Sequence, residues 1–503
     1  MNKTFLAGAA LLSASSATVH AQPAPLVATA QGQLAGTVSD DIASFKGIPY
    51  AAPPVDDLRW RAPQAPHRWQ GVRNADSFGA ICPQPAFDPK TKTIPQSEDC
   101  LTLNVWKPAN LRKGARLPVM VWIHGGGSIV GSGRDPLYDG AALARNGVIV
   151  VSINYRLGAL GYFVHPALSA ANADAGLLAN YGLMDQRAAL QWVQRNIASF
   201  SGDPAKVTIF GESAGGCYVN MWMTSPAAKG LFSRAITQSC PGFIESRTME
   251  EGGQRGVALA TSLDIVGNDS AALARLRALP AAAFMTRAGL KGTYPFLDGV
   301  IVREDPFRAL AAGHVAKLPW LIGSNSFDAS YLPFFGVDIT HPLAAYAAAD
   351  QARIRETYTA DGERAGTNFL TDMVMGASDR LFAQQASASG GKAWLYSFRY
   401  EASDARPDAM GVPHGGELAF VFGNPGGGVE LATAADRAVS VKIRQIWTDF
   451  AKGRLSAKQS WGNGRRTLVI DRDGTIVPIA DYHRDRLDLA LPFARSGAGR
   501  WDP

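Results

Sequence analysis

Ser213 stands at the centre of Phe-Gly-Glu-Ser-Ala-Gly-Gly, residues 210–216. The run Lys206–Phe210 before it reads as a short buried strand, and the residues after Gly215 open a helix. A Gly-x-Ser-x-Gly between strand and helix is the pattern of a nucleophile elbow. Glycines two residues either side remove side chains that would clash in so sharp a turn. The serine hydroxyl is lifted clear of the sheet, and the helix N-terminus is aimed at a reacting carbonyl. The five-letter pattern also arises by chance in a glycine-rich chain, so the remaining chemistry has to be found elsewhere.

A serine hydroxyl is a poor nucleophile at neutral pH. It needs a base beside it, a carboxylate to orient the base, and donors for the oxyanion. In this architecture the order along the chain is serine, acid, histidine. His314, His341, His414 and His483 follow Ser213. His414 lies in Gly411-Val-Pro-His-Gly-Gly-Glu417, where flanking glycines leave an imidazole unobstructed. His341 precedes a proline, and His483 sits in a charged stretch that reads as a solvated face. For the acid, Asp328 follows an apolar strand at the end where such sheets display functional groups. Its competitors are Asp298, Glu304 and Asp305, and Asp328 also fits a helix N-cap. Upstream, His124-Gly-Gly-Gly127 directly follows a buried strand. It reads as an oxyanion loop, paired with the N–H of Ala214 after the nucleophile.

Positioning these groups requires a sheet. Leu101–Trp106 alternates apolar and polar residues as a half-buried strand does. Leu117–Ile123 and Val148–Asn154 are continuous apolar runs, as expected of strands covered on both faces. Between the last two lies a helix over Tyr138–Arg145, so the order strand, helix, strand predicts a parallel, right-handed winding. The spacing of Leu190, Val193 and Ile197 predicts a helix over 185–198. Further strands are expected at 235–238, 318–323, 394–400 and 467–470, and helices at 256–264, 270–278 and 434–452. No internal repeat or linker interrupts the chain, so residues 22–503 read as one α/β domain with insertions.

Composition narrows the class. Hydrophobic residues make up 47% and charged residues 18%, as in globular enzymes. The net charge of +6 is spread along the chain without a basic block, which argues against nucleic acid. Lys3, the apolar stretch Phe5–Leu12 and Val19-His20-Ala21 form a secretory signal over residues 1–21. No later stretch is apolar enough to span a bilayer. The expected location is therefore secreted or periplasmic, where cysteines tend to pair. Cys82 and Cys100 flank a proline-containing loop suited to a bridge worth about 3 kcal/mol. Cys217 and Cys240 either form a second bridge or pack as small apolar thiols.

Together these motifs resemble the type-B carboxylesterase family of the alpha/beta-hydrolase superfamily. Phe45-Lys-Gly-Ile-Pro-Tyr-Ala51 with Leu58-Arg-Trp60 is similar to its N-terminal signature. Glu98-Asp-Cys-Leu-Thr-Leu-Asn-Val-Trp-Lys-Pro108 is similar to its second, and Asn180–Gln186 and Phe200–Pro204 lead into the serine motif as in the family. The resemblance spans nearly the whole mature chain. It implies a mostly parallel twisted sheet flanked by helices, with inserted loops around the active site. It implies Ser213 as nucleophile, His414 as base, Gly126, Gly127 and Ala214 as oxyanion donors, and a Cys82–Cys100 disulfide. Gly323-Ser-Asn-Ser-Phe-Asp-Ala329 matches the family's acid motif with Asp328 where glutamate is usual, one methylene shorter. Ser201 stands where glycine is usual. Residues 83–99 lack the tryptophan that cholinesterases carry in this loop, which argues against choline esters.

The resulting expectation is a secreted serine hydrolase of small carboxylic esters, with no metal and no organic cofactor. The alternatives are a non-catalytic binding or adhesion member, which would typically lose the serine, and an amidase using the same triad. Phe327, Tyr331, Phe334 and Phe335, next to the acid, either line an acyl or alcohol pocket or cap the core. Oligomeric state is not legible.

Overall fold

The computed structural model describes residues 24–497, except 87–92, 243–245, 287–288, 290–292 and 407–408. Residues 1–21, expected to be a secretory signal, lie outside the described residues.

The core is an eleven-stranded sheet. Its strands are β1 (Thr37–Ser39), β2 (Ile42–Pro49), β3 (Thr102–Pro108), β4 (Leu117–Ile123), β5 (Ile149–Ile153), β6 (Gly202–Glu212), β7 (Arg234–Gln238), β8 (Pro319–Asn325), β9 (Lys392–Phe398), β10 (Arg466–Ile470) and β11 (Ile476–Ala480). Their spatial order is β11-β10-β9-β8-β7-β6-β4-β5-β3-β2-β1. Pairing is parallel from β5 through β4, β6, β7, β8 and β9 to β10. It is antiparallel at both margins.

Strand β4 shows why its sequence is apolar throughout. Val119, Val121 and Ile123 enter one hydrophobic core, and Met120 and Trp122 enter the core on the opposite face. Successive side chains point to opposite faces, so a strand covered twice has no position for a polar residue. A third, smaller core lies around Leu332, Ile354, Phe369 and Met375, next to the segment that follows β8.

Flanking helices include α1 (Tyr181–Asn196), α2 (Ala214–Thr224), α3 (Ala377–Ala388), α4 (Leu418–Phe422), α5 (Ala434–Ala451) and α6 (Arg484–Gly497). The expected helix over 138–145 is reduced to a 3₁₀ turn, Pro136–Tyr138, and a single turn, Ala141–Ala144. The non-helical backbone of Asp139, φ −58° and ψ 120°, separates the two, and Gly147 at φ 76° turns the chain toward β5. Strand β11 and helices α3, α4 and α6 are additions to the elements expected from sequence. Pro478 in β11 is tolerated because this is an edge strand.

The signature motifs clasp one another. Arg59 Nε donates to Glu98 Oε2 at 2.8 Å, and Trp60 Nε1 donates to the Ala159 carbonyl at 2.8 Å. Asp185 of α1 accepts from Arg156 Nε at 2.8 Å in a fully buried pair. Cys82–Cys100 and Cys217–Cys240 are both disulfides, each with a Cα–Cα separation of 5.0 Å.

Candidate active site

Ser213 occupies the junction of β6 and α2 with φ 55° and ψ −126°. A non-glycine residue pays strain energy for a positive φ and holds it only where its surroundings enforce it. Here the enforcement comes from packing on the flanking glycines. A Cβ on Gly215 would meet the Ile123 carbonyl oxygen at 2.1 Å, and one on Gly211 would meet the Gly215 carbonyl carbon at 2.5 Å. Helix α2 can therefore cross β4 only as glycine at this point. The Ser213 N–H donates to the Gln238 carbonyl at 3.0 Å, which ties the elbow to the end of β7.

The glycine loop lies directly against the elbow. A Cβ on Gly125 would stand 3.1 Å from Ser213 Cβ. Gly126 and Gly127 have φ of 99° and 61°, and a Cβ on Gly126 would meet the Val130 carbonyl at 2.2 Å. The loop's fold therefore requires glycine at Gly126. Among the described residues, neither N–H finds a protein acceptor. Ala214, at the first position of α2, has no intrahelical partner for its own N–H. The glycine loop against the elbow and the first residue of α2 thus carry three N–H groups without a protein acceptor among the described residues. His124 is buried against Tyr155, with ring centroids 4.2 Å apart. Burial lowers its pKa to about 4, so it is a neutral packing group.

Asp328 and His414 meet. Asp328 Oδ1 accepts from His414 Nδ1 at 2.7 Å, and its Oδ2 accepts from Ser239 Oγ at 3.0 Å and from the Asn325 N–H at 2.6 Å. The shorter side chain reaches because the two loops are stitched together. The Phe327 N–H donates to the Val412 carbonyl at 2.9 Å, and the His414 N–H to Ser330 Oγ at 2.8 Å. Asn325 Nδ2 donates to the Pro413 carbonyl at 3.0 Å. The competing acids serve other ends. Asp298 caps the turn at 300–302, Asp305 caps the helical turn that begins at Pro306, and Glu304 pairs with the exposed His314. His341 pairs with Asp338 at the surface.

The other imidazole nitrogen, His414 Nε2, faces Glu212 Oε1 at 3.2 Å. Among the described residues the Ser213 hydroxyl has no hydrogen-bond partner, and catalytic contacts of this kind often tighten only when substrate binds. Sequence reasoning misses Glu212, although its place next to Ser213 is a signal. Burial pushes its carboxyl up to about 8, with the His414 charge opposing and Glu417 and Asp328 adding. Burial opposes the charge on His414, but Glu212 and Asp328 outweigh it and hold the imidazole up to about 9. Glu417 is fully buried and accepts from Gln238 Nε2 at 2.8 Å and from Asn325 Nδ2.

Three of the four aromatics form a row leading outward from His414. Tyr331 packs on His414 at 4.8 Å, Phe335 on Tyr331 at 5.8 Å, and Phe334 on Phe335 at 5.2 Å. Phe334 is 65% exposed. Phe327 instead packs against the third core. Ser201 has φ 68°, the left-handed geometry that explains the family's glycine at this position. Among the described residues, no group of three His, Cys, Asp or Glu side chains is placed to hold a metal ion. Among the same residues, no helix is long and apolar enough to cross a membrane.

Comparison with known proteins places this chain among relatives. The sequence model of the carboxylesterase family matches residues 23–462. The para-nitrobenzyl esterase of Bacillus subtilis (strain 168) is 36% identical over 480 residues, covering 90% of this chain and 96% of that protein. The fumonisin B1 esterase of Sphingopyxis macrogoltabida is 35% identical, covering 89% and 85%. A solved PNB esterase superposes with a TM-score of 0.77 at 31% identity, covering 93% of this chain and 99% of that one.

Proposed function

Because this chain belongs to the carboxylesterase family and is a carboxylic ester hydrolase, we propose that it works through an acyl-enzyme on Ser213. His414 Nε2 takes the hydroxyl proton as Ser213 Oγ attacks the ester carbonyl. Asp328 holds Nδ1–H, so that Nε2 is the free base, and stabilises the imidazolium that forms. The N–H groups of Gly126, Gly127 and Ala214 receive the oxyanion of the tetrahedral intermediate. His414 then protonates the departing alcohol. Water repeats the sequence on the acyl-enzyme, releasing the carboxylic acid and restoring Ser213.

The observation that carries this reading is the 2.7 Å Asp328–His414 contact beside an elbow serine that packs against a free-donor glycine loop. The aromatic row at Tyr331, Phe335 and Phe334 would receive the acyl or alcohol part of a small aromatic ester. Such a substrate needs flat apolar walls more than charge. The protein acts outside the cytoplasm, secreted or periplasmic after removal of residues 1–21, a location compatible with its two disulfides.

The test is Ser213→Ala. It should leave the protein folded, abolish p-nitrophenyl ester turnover and abolish labelling by a fluorophosphonate probe. Full turnover in that variant would overturn the assignment, and an unlabelled wild-type protein would point to a binding module.

A further inference from the structure

A cavity of about 140 Å³ lies beside the strand that leads to Asp328. None of Ser213, His414 or the glycine loop lines it. Its buried wall comes from the end of β8, from β9 and from α3, and carries Asn325, Tyr396 and Asp379, each only 2% exposed. Arg399, His483 and Arg486, which are less buried, line the rest. The stretch around His483, expected to be a solvated face, therefore closes a cavity.

Among the described residues, Asn325 Oδ1 and the Tyr396 hydroxyl on this wall have no hydrogen-bond partner, and the Asp379 carboxylate has at most the neighbouring Ser324 hydroxyl. The orientation of the Asn325 amide is set, because its Nδ2 already donates to Pro413 and Glu417. Its Oδ1 is therefore an acceptor with nothing to accept. Leaving such buried groups unpaired costs about 1–3 kcal/mol each, so this wall suits a ligand that is positive or rich in donors.

Charge balance says how much. Asp361 and Asp372 both pair with Arg486 at 3.0 Å. Arg399 faces Asp471 at 3.9 Å and donates to Tyr482. His483 is pushed down to about 3 by burial and by Arg486 and Arg399, so it carries no charge at neutral pH. Asp328, behind the wall, is engaged with His414. Asp379 is the one carboxylate lining the cavity with no cationic partner among the described residues.

We propose that this cavity binds one monovalent cation of the size of potassium or ammonium, held by the Asp379 carboxylate, Asn325 Oδ1 and the Tyr396 oxygen. One uncompensated negative charge with neutral oxygens around it suits a singly charged ion. Divalent ions generally draw on more carboxylates and stricter geometry. The volume takes the ion with a few waters completing its shell. A proton is the competitor for the same oxygens. Burial pushes the Asp379 carboxyl well above the usual carboxylate range, with the nearby Ser324 hydroxyl opposing and the Asp328 charge adding. Cation binding therefore strengthens as pH rises and the proton leaves.

The experiment uses the mature protein at constant ionic strength, with potassium chloride exchanged for tetramethylammonium chloride, whose cation is too large to be held by these oxygens. At pH 8.5 the unfolding midpoint should be about 3 °C higher in saturating potassium, and the difference should shrink at pH 6. In Asp379→Asn, which keeps the side-chain shape, the difference should vanish. Crystals of the wild-type protein soaked in thallium(I) should show an anomalous peak between Asp379 and Asn325. That soak decides the matter if Asp379→Asn does not fold. Equal wild-type midpoints at pH 8.5, a potassium effect retained in Asp379→Asn, or no thallium peak would each overturn the proposal.

Discussion

Glu212 and His414 share the protons available around Ser213. Their oxygen and nitrogen stand 3.2 Å apart, so they titrate as a pair rather than as two residues. A raised histidine pKa keeps His414 protonated at neutral pH. Its pairing stabilises the fold below the ordinary histidine pKa and is lost as pH rises through about 9. Proposed activity runs the opposite way, since only the neutral imidazole accepts the serine proton. The acidic limb of kcat/KM should therefore lie in the alkaline range. In Glu212→Gln it should move to lower pH, read from a pH–rate profile, and an unmoved limb would remove Glu212 from this role. Asp328→Asn should lower kcat roughly 10⁴-fold, because an amide favours the wrong imidazole tautomer. Ser213→Ala should lower it by roughly 10⁵-fold or more. Both falls are measured against p-nitrophenyl esters, with circular dichroism confirming the fold.

At the scale of the element, the crossing of α2 over β4 is the tightest constraint near the site. A methyl at Gly215 would sit 2.1 Å from a strand carbonyl, and neither backbone can yield without moving Ser213. Gly215→Ala should cost about 2–3 kcal/mol in urea unfolding and at least about tenfold in kcat/KM. Ser201 sits on the other side of the balance. It holds φ 68° at the end of a 3₁₀ turn, and its carbonyl accepts from the Leu117 N–H at 2.8 Å. Ser201→Gly removes that strain and should stabilise by about 0.5–1 kcal/mol, the net of relief and added chain entropy. A destabilised Ser201→Gly would show that the serine side chain contributes something the backbone does not reveal.

At the scale of the whole molecule, the disulfides close two loops onto different parts of the fold. Cys82–Cys100 staples the loop before β3, and Cys217–Cys240 links α2 to the end of β7. Replacing both cysteines of the first pair by serine should cost about 3 kcal/mol, read as a lower midpoint of denaturant unfolding. An unchanged midpoint would mean that the loop is already held by its packing.

Local chemistry is legible in the order of the residues alone. The apolar run of β4, the glycines around Ser213 and the spacing of His124-Gly-Gly-Gly127 each follow from what one strand or one turn demands of its own residues. What the sequence leaves open has one physical character: it depends on which distant segments come within 3 Å. Asp328 and its competitors are alike as residues, and only the hydrogen bonds between 325–330 and 412–414 set one of them on His414. The clasp of two signature motifs through Arg59 and Glu98 is likewise made only by folding. Glu212 takes its raised pKa from burial and from charges as far off in the chain as Asp328 and Glu417, against the opposing charge of His414. Asp379 looks like any polar residue of a helix until folding buries it, without a cationic partner among the described residues, beside Asn325. Turn chemistry is written in neighbours along the chain, whereas burial and charge are set by neighbours in space. Ser213 and the glycine loop belong to the first kind, and Asp328, the buried carboxylates and the cavity beside Asp379 to the other.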